Sequence, residues 1–391
     1  VEHFNVPGMV GGKPRLSRIL MFVVNVDWFF LSHRLPIALA AQKQGYRVHI
    51  ATGLTDKLDE LQGYGFVVHP LALDRSGTGL IGILRTLAGF WVLFRVVRPD
   101  IVHLVTIKPV LLGGIAARLA RVPAVVAAVS GLGFVFISHG VKAMFRRWLV
   151  SIVYSVALGQ RNLKVIFQNI DDKIAIGKLA CLQDSKVEII RGSGVDLAKF
   201  IHKPIPLGVP VVILAARMLI DKGVHEFVQA ARLVKQHGVL ARFCLIGTVD
   251  PANPASLNDA ELAQLANEGI VELWGHRADM LEVLLAAHVV ALPSYREGLP
   301  KVLMEAAACG RVVVTTDVPG CRDAIIPDVS GILVPARDAV ALAEVIMELI
   351  DGPARCQAMG DAGRALAESA FDVRQVVAKH LCIYQDLIER L

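Results

Sequence analysis

The stretch Ser294-Tyr295-Arg296-Glu297-Gly298-Leu299-Pro300-Lys301-Val302-Leu303-Met304-Glu305-Ala306-Ala307-Ala308-Cys309-Gly310 holds residue types suited to gripping a polar ligand. Its two carboxylates, Glu297 and Glu305, can accept hydrogen bonds from different parts of a polyol. The apolar run His288 to Leu292 before it reads as a buried strand, which Pro293 ends. Pro300 suits the first turn of a helix and Gly310 its end. The order is strand, tight polar loop, helix, with Glu297 in the loop and Glu305 two turns into the helix. Gly298 and Leu299 then offer backbone N–H groups at a helix N-terminus, an arrangement that favours an anion such as phosphate.

Upstream, Ala216-Arg217-Met218-Leu219-Ile220-Asp221-Lys222-Gly223 places two cations just after another apolar run. The pair of stretches resembles the Glu-x7-Glu motif and the paired donor-diphosphate cations of retaining glycosyltransferases of the GT-B fold, family 4 type. The resemblance covers residues 18–391. It implies an α/β chain with two Rossmann-like doubly wound parallel-sheet domains facing a cleft, and a C-terminal helix crossing back to the first. It also implies a nucleoside diphosphate sugar as substrate, a UDP-sugar above all, with an N-acetylhexosamine among the candidates. By the same resemblance Arg217 and Lys222 hold the diphosphate, Glu297 the hydroxyls of the donor sugar, and Glu305 those of the ribose. Gly298 and Leu299 give backbone N–H groups to sugar or phosphate, and Gly275, within Trp274-Gly275-His276-Arg277, lies near the base.

The chemistry such a ligand demands is electrostatic. The diphosphate leaving group gains negative charge as the glycosidic bond breaks, so positive charge that tightens in that transition state is catalytic. Arg217 can fork onto two phosphate oxygens, and Lys222 adds a mobile point charge; the plainer alternative is a surface ion pair with Asp221 or a neighbouring acid. Retention in the family involves attack from the leaving-group face, with a phosphate oxygen helping to take the acceptor proton. No cofactor is expected, and no D-x-D occurs to bridge a metal. Many relatives carry a histidine after the strand that ends here at Val129, where this chain has Ser130 and Gly131, the acceptor-side candidates. His33, beside Arg34, and His103, at a strand end, are the residues that could replace it, each equally open to a structural role.

The elements around these residues alternate. Apolar runs and helical patterns succeed one another from Arg18 to Val129 and again from Val211 to Leu391. The implied division is a leader over 1–17, an acceptor domain over 18–200, a linker with Pro204, Pro206 and Pro210 over 201–210, a nucleotide-sugar domain over 211–370 and a crossover helix over 371–391. Val26 to His33 reads as the first strand-to-helix loop. Gly77-Thr78-Gly79-Leu80-Ile81-Gly82 matches G-x-G-x-x-G but follows a third strand, so it reads as a loop opening a helix.

Hydrophobic residues make up 54% of the 391 and charged residues 19%, which excludes a disordered chain. No run reaches the roughly 18 apolar residues of a spanning helix, the longest candidate being broken by Arg85 and Arg95. Six scattered cysteines suggest reduced thiols in a cytoplasmic setting. Residues 1–200 carry 24 Lys and Arg against 12 acids, a balance of +12, while 201–391 carry 17 against 23, a balance of −6. No nucleic-acid motif accompanies the basic half, so an anionic inner-membrane surface is the better partner. Gly140 to Lys164 has no acid and combines Lys142, Arg146 and Arg147 with Phe145 and Trp148, which reads equally as an interfacial helix or a core-facing one.

Two local stretches, Asn25 to Pro36 and Glu297 to Gly310 followed by Asp317-Val318-Pro319-Gly320-Cys321-Arg322, resemble bacterial enzymes of capsule, O-antigen and lipid-linked glycan assembly. That narrower likeness implies a polyprenyl diphosphate-linked acceptor, undecaprenyl above all, met at the cytoplasmic face of the inner membrane. A nucleotide-sugar 2-epimerase of the same fold, or a non-catalytic nucleotide-sugar binding protein, remains the alternative.

Overall fold

The computed structural model of the protein describes residues 17–71, 79–131, 150–251 and 253–391. Val1–Pro14, the opening of the Gly77–Gly82 stretch, most of Ser130–His139, and Lys142, Arg146 and Arg147 lie outside them.

The first half builds a seven-stranded sheet. Its elements are β1 (Ile19–Val26), α1 (Asp27–His33), α2 (Leu35–Lys43), β2 (Arg47–Gly53), α3 (Leu58–Gly63), β3 (Val67–Pro70), α4 (Leu80–Val97), β4 (Ile101–Val105), α5 (Gly114–Ala120), β5 (Ala124–Val129), β6 (Leu163–Phe167), α6 (Ile170–Ala180) and β7 (Val187–Ile189). The strand order is β3-β2-β1-β4-β5-β6-β7, every pair parallel. The second half runs β8 (Val211–Ala215), α7 (Val224–Gln236), β9 (Arg242–Ile246), α8 (Asp259–Asn267), β10 (Glu272–Gly275), α9 (Met280–Ala286), β11 (Val289–Leu292), α10 (Lys301–Ala308), β12 (Val312–Thr316), β13 (Gly331–Val334), α11 (Ala339–Asp351), α12 (Pro353–Leu366) and α13 (Val373–Glu389). Its order is β10-β9-β8-β11-β12-β13, again parallel.

Both sheets are covered on both faces, which is why their central strands are mostly apolar and buried rather than alternating. β4, β5, β6, β8, β11 and β12 are buried throughout. In each sheet the order reverses beside the first strand, between β1 and β4 and between β8 and β11. Ligands of such sheets bind at that switch point, outside the carboxyl ends of the strands.

One local feature departs from the sequence reading, and two others refine it. Val26–His33 is not an open loop: α1 starts at Asp27, whose buried carboxylate accepts from Trp28 N (2.8 Å), Thr55 N (2.6 Å) and Thr55 Oγ1 (2.7 Å). That carboxylate satisfies an N–H of the first turn and ties the helix to the exit of β2. Pro109–Ala120 is a π-helical turn over Pro109–Gly113 before α5. Helix α6 follows a cap that the sequence carried in Asn169, whose side chain accepts from Asp172 N at 2.8 Å.

Helix α13 belongs to the first domain by packing, although it follows the second in the chain. Val376, Ile383, Tyr384, Leu387 and Ile388 join the core of β1, β2, β4 and β5. The chain crosses between domains beside Val195, whose N donates to Phe371 O (2.7 Å) and whose carbonyl accepts from Val373 N (3.0 Å). Under α13 lies a polar cluster without a carboxylate. Tyr384 Oη sits 2.6 Å from His103 Nδ1, His380 stacks on His103 with centroids 5.6 Å apart, and Arg34 is buried beside them. His103 is thus a mid-strand structural residue, not one at a strand end available to an acceptor.

Burial, then the Arg34 charge, holds His380 down to about 3; burial, then His380 and Arg34, holds His103 well below its ordinary value. Unfolded, both would take a proton near 6.5. The unfolded state therefore binds more protons below that pH, so stability is fully present above about 6.5 and is lost as pH falls toward the folded values. Urea midpoints should decline from pH 7.5 to pH 5, by up to about 1.4 kcal/mol per pH unit for each excluded proton. His380→Gln should make that decline shallower; an unchanged slope would show that His380 takes no part.

Candidate active site

Arg217 leaves β8 and Glu297 leaves β11, the two strands flanking the switch point of the second sheet. After Arg217 the chain makes a 3₁₀ turn, Ile220–Lys222, closed by Gly223 at φ +74°. A Cβ on Gly223 would run into the Pro293 carbonyl oxygen, so glycine lets this turn lie directly against the end of β11. Tyr295 N then donates to Asp221 O at 2.9 Å. The result carries Lys222 onto Glu297: Lys222 Nζ and Ser294 Oγ both donate to Glu297 Oε1, the hydroxyl at 2.9 Å. Lysine and carboxylate are each mostly buried, at 18% and 13% exposure.

Arg217 pairs with Asp250 (2.6 Å), which follows β9. Its side chain is 45% exposed, so the guanidinium stands at the open side of the site. The surface-pair alternative was Asp221 or a neighbouring acid; the observed partner is Asp250. Gly275 ends β10 at φ +63°, and its carbonyl accepts from Gly247 N at 2.8 Å, fixing the loop that leads to Asp250. Next to it, Trp274 lies between Arg242 and Arg277, each 5.9 Å from a ring centroid.

Glu305, two turns into α10, is pushed upward by burial while Lys301, 3.3 Å away, pulls the other way. Lys301 Nζ also donates to Ser32 O at 3.0 Å, joining α10 to the end of α1 in the other domain. His33 adjoins that contact. Its ring stacks on Phe29 with centroids 4.0 Å apart, and Nδ1 lies 3.2 Å from Phe29 O. Burial, then Lys301 and Arg34, holds His33 down to about 3, so its imidazole is neutral at physiological pH.

Ser130 and Gly131 meet the Glu297 loop itself. A Cβ on Gly298 would overlap Gln168 Oε1 and stand 2.8 Å from the Ser130 carbonyl carbon; one on Gly131 would stand 3.3 Å from Gly298 N. Asn169 Nδ2 donates to Gly298 O at 2.8 Å. Leu299, beside it, is buried in the second domain's core. The structure thus brings Lys222, Glu297 and Gly298 into one site with Ser130 and Gly131. Glu305 and His33 gather around Lys301, and Arg217 and Gly275 around the loop that carries Asp250.

Sequence reasoning passed over Ser294, Lys301, Asp250 and Asn169. Lys301 was visible as the i−4 partner of Glu305, and Asn169 as a cap. Asp250 had no local signal, because its pairing depends on β8 and β9 being neighbours. Among the described residues no group of three or more His, Cys, Asp or Glu could hold a metal ion.

Known proteins resemble this chain in sequence and in fold. The family model "Glycosyl transferase 4-like" matches residues 18–169, and "Glycosyl transferases group 1" matches 209–352. The N,N'-diacetylbacillosaminyl-diphospho-undecaprenol alpha-1,3-N-acetylgalactosaminyltransferase of Campylobacter jejuni is 27% identical over 93% of this chain and 99% of its own length. The UDP-Gal:alpha-D-GlcNAc-diphosphoundecaprenol alpha-1,3-galactosyltransferase of Escherichia coli is 26% identical over 86% of this chain and 87% of its own. Among solved structures, a glycosyltransferase from Rickettsia africae ESF-5 matches with a TM-score of 0.75 at 17% identity, over 96% of this chain and all of that one. Anabaena HepE in complex with UDP and glucose matches at 0.73 and 19% identity, over 94% and 99%. These likenesses carry the GT-B fold of two facing parallel-sheet domains. With consecutive family matches over both halves, and the site at the switch point of the second sheet, this chain belongs to the group 1, 4-like family of glycosyl transferases.

Proposed function

We propose that this glycosyltransferase moves a sugar, with retention, from a UDP-sugar to an undecaprenyl diphosphate-linked glycan in bacterial surface polysaccharide assembly. The work would be done at the cytoplasmic face of the inner membrane by a peripherally bound enzyme. The observation that carries the donor half is the Lys222–Glu297 contact at the sheet's switch point, on the same strand exit that carries Arg217. Two cations there would follow the diphosphate as it gathers charge, and Glu297 would accept hydrogen bonds from hydroxyls of the donor sugar. Lys222 has three donors and spends one on Glu297, leaving others for phosphate. Arg217 would exchange Asp250 for the diphosphate.

Relatives support the acceptor half. Two of them, covered over most of their length, are named for diphosphoundecaprenol acceptors and for alpha-1,3 products. An alpha product from an alpha-linked nucleotide sugar is retention. An N-acetylhexosamine or galactose donor follows the same names. His33, held neutral and adjoining Ser32, whose carbonyl accepts from Lys301, would orient a hydroxyl rather than carry positive charge. Among the described residues no helix is long and apolar enough to cross a membrane.

Incubation with radiolabelled UDP-sugars, with and without a polyprenyl diphosphate glycan, tests the reading: label should move to lipid only when the acceptor is present. Arg217→Ala and Lys222→Ala should each raise the activation barrier by about 2–4 kcal/mol, a loss of roughly 30- to 1000-fold in turnover. Turnover should fall by more than folding stability does, and wild-type turnover in the double variant would sink the assignment. We further propose that the reaction needs no metal. Turnover should survive EDTA, and complete loss restored only by Mn²⁺ would contradict this.

A further inference from the structure

Helix α4 presents its apolar side to solvent. Phe90 and Phe94 are buried against the first sheet, while Ile81 (78% exposed), Leu84 (55%), Trp91, Val92 and Val96 (76%) face outward. From Ile81 to Val96 this stripe is about 22 Å long at the rise of an α-helix. Scattered exposed hydrophobics are ordinary, but a continuous stripe on one helix marks an interaction surface.

Charge says what kind of partner fits. Between Arg75 and Ile170 the chain contains 12 Lys and Arg and a single acid, Asp100, whose carboxylate accepts from Ile19 N at 2.7 Å. Helix α4, helix α5 and the helical residues 150–157 all fall in that span and share one core beneath the sheet. Arg85 and Arg95 are exposed on α4 alongside the stripe. Arg95, Arg98 and Arg121 line one hollow with Phe94, Ala120 and Val122. Among the described residues none of these four arginines pairs with a carboxylate. Two copies of α4 placed face to face would oppose cation to cation, so self-association is disfavoured. An anionic bilayer surface satisfies both features, taking the aliphatic and indole groups into its interface and the guanidinium groups among its phosphates.

We infer that α4 is the element by which this protein docks on an anionic lipid surface, with Arg95, Arg98 and Arg121 receiving lipid phosphate. This deepens, and rests on, the reading of a lipid-linked acceptor. The helix begins after β3, at the carboxyl ends of the strands where the acceptor would enter, and runs away from the cleft. Docked along α4, the first domain holds its half of the cleft open to a substrate embedded in the same leaflet.

Co-sedimentation with vesicles of phosphatidylcholine, alone or mixed with phosphatidylglycerol, tests it. Wild type should bind the mixed vesicles and be released by high salt. Arg85→Gln with Arg95→Gln should weaken binding at least about fivefold, as should Ile81→Ser, Trp91→Ser and Val96→Ser together. Leu240→Ser with Val340→Ser, exposed positions of the second domain, should not. UDP binding should be unchanged in every variant, which shows that each is folded. Failure of wild type to bind, or undiminished binding by the α4 variants, overturns the inference. So does a wild-type dimer that the α4 changes dissociate without affecting vesicle binding, which would assign the stripe to a second copy. Sugar transfer to a detergent-solubilised acceptor separates this from the proposed function. Transfer should persist in the α4 variants, whereas its absence from wild type, with α4-dependent vesicle binding intact, would discard the acceptor and leave the docking helix standing.

Discussion

The two domains touch through bare backbone at Gly298. A side chain at that position would strike Gln168 and the Ser130 carbonyl, and the facing residue is itself a glycine, Gly131. Asn169 completes the contact with its bond to Gly298 O. The loop held by this contact carries Glu297, Gly298 and Leu299. Glu297 N donates to Pro319 O (3.1 Å), and Gly320, at φ +82°, leaves room for the carbonyls of Glu297 and Gly298. The loop can therefore be fixed from both sides while its polar groups face the cleft.

Around that contact the charges divide into pairs that are short-range and exchangeable. Lys222 with Glu297, Arg217 with Asp250 and Lys301 with Glu305 each hold a cation beside an acid at the cleft. Pairing offsets part of the desolvation cost of each cation in the resting enzyme, and an anionic ligand that takes the cation must outcompete the acid it displaces. The buried pair at Lys222 and the half-exposed pair at Arg217 thus differ in how readily they let go, the more exposed arginine being the easier to reorganise.

Much of this was legible in one dimension. Mostly apolar runs gave the parallel sheets, and Pro293, Pro300 and Gly310 marked the loop and helix around Glu297. The order of Arg217, Lys222 and Glu297 along the chain placed all three after strands, which is where such sheets bind. What could not be read were contacts made by neighbours distant in sequence. Asp250 meets Arg217 only because β9 lies next to β8, and Ser32 meets Lys301 only because the domains face one another. His103 looked like a strand-end residue because nothing local announces that Tyr384, 281 positions later, lies over it. Asp27 was read as part of a loop because its anchor, Thr55, belongs to the next strand's exit.

Helix α13 also sets an order of events for a chain made from its N-terminus. The first sheet is synthesised early, but Tyr384, Leu387 and Ile383, which close its core over β4 and β5, emerge only after the whole second domain. Until then His103 and Arg34 stand uncovered at a half-finished surface. The usual sequence, in which the leading domain finishes folding while the next is still on the ribosome, is closed to this protein. Its second domain can complete itself first, and the first closes its core only when α13 docks.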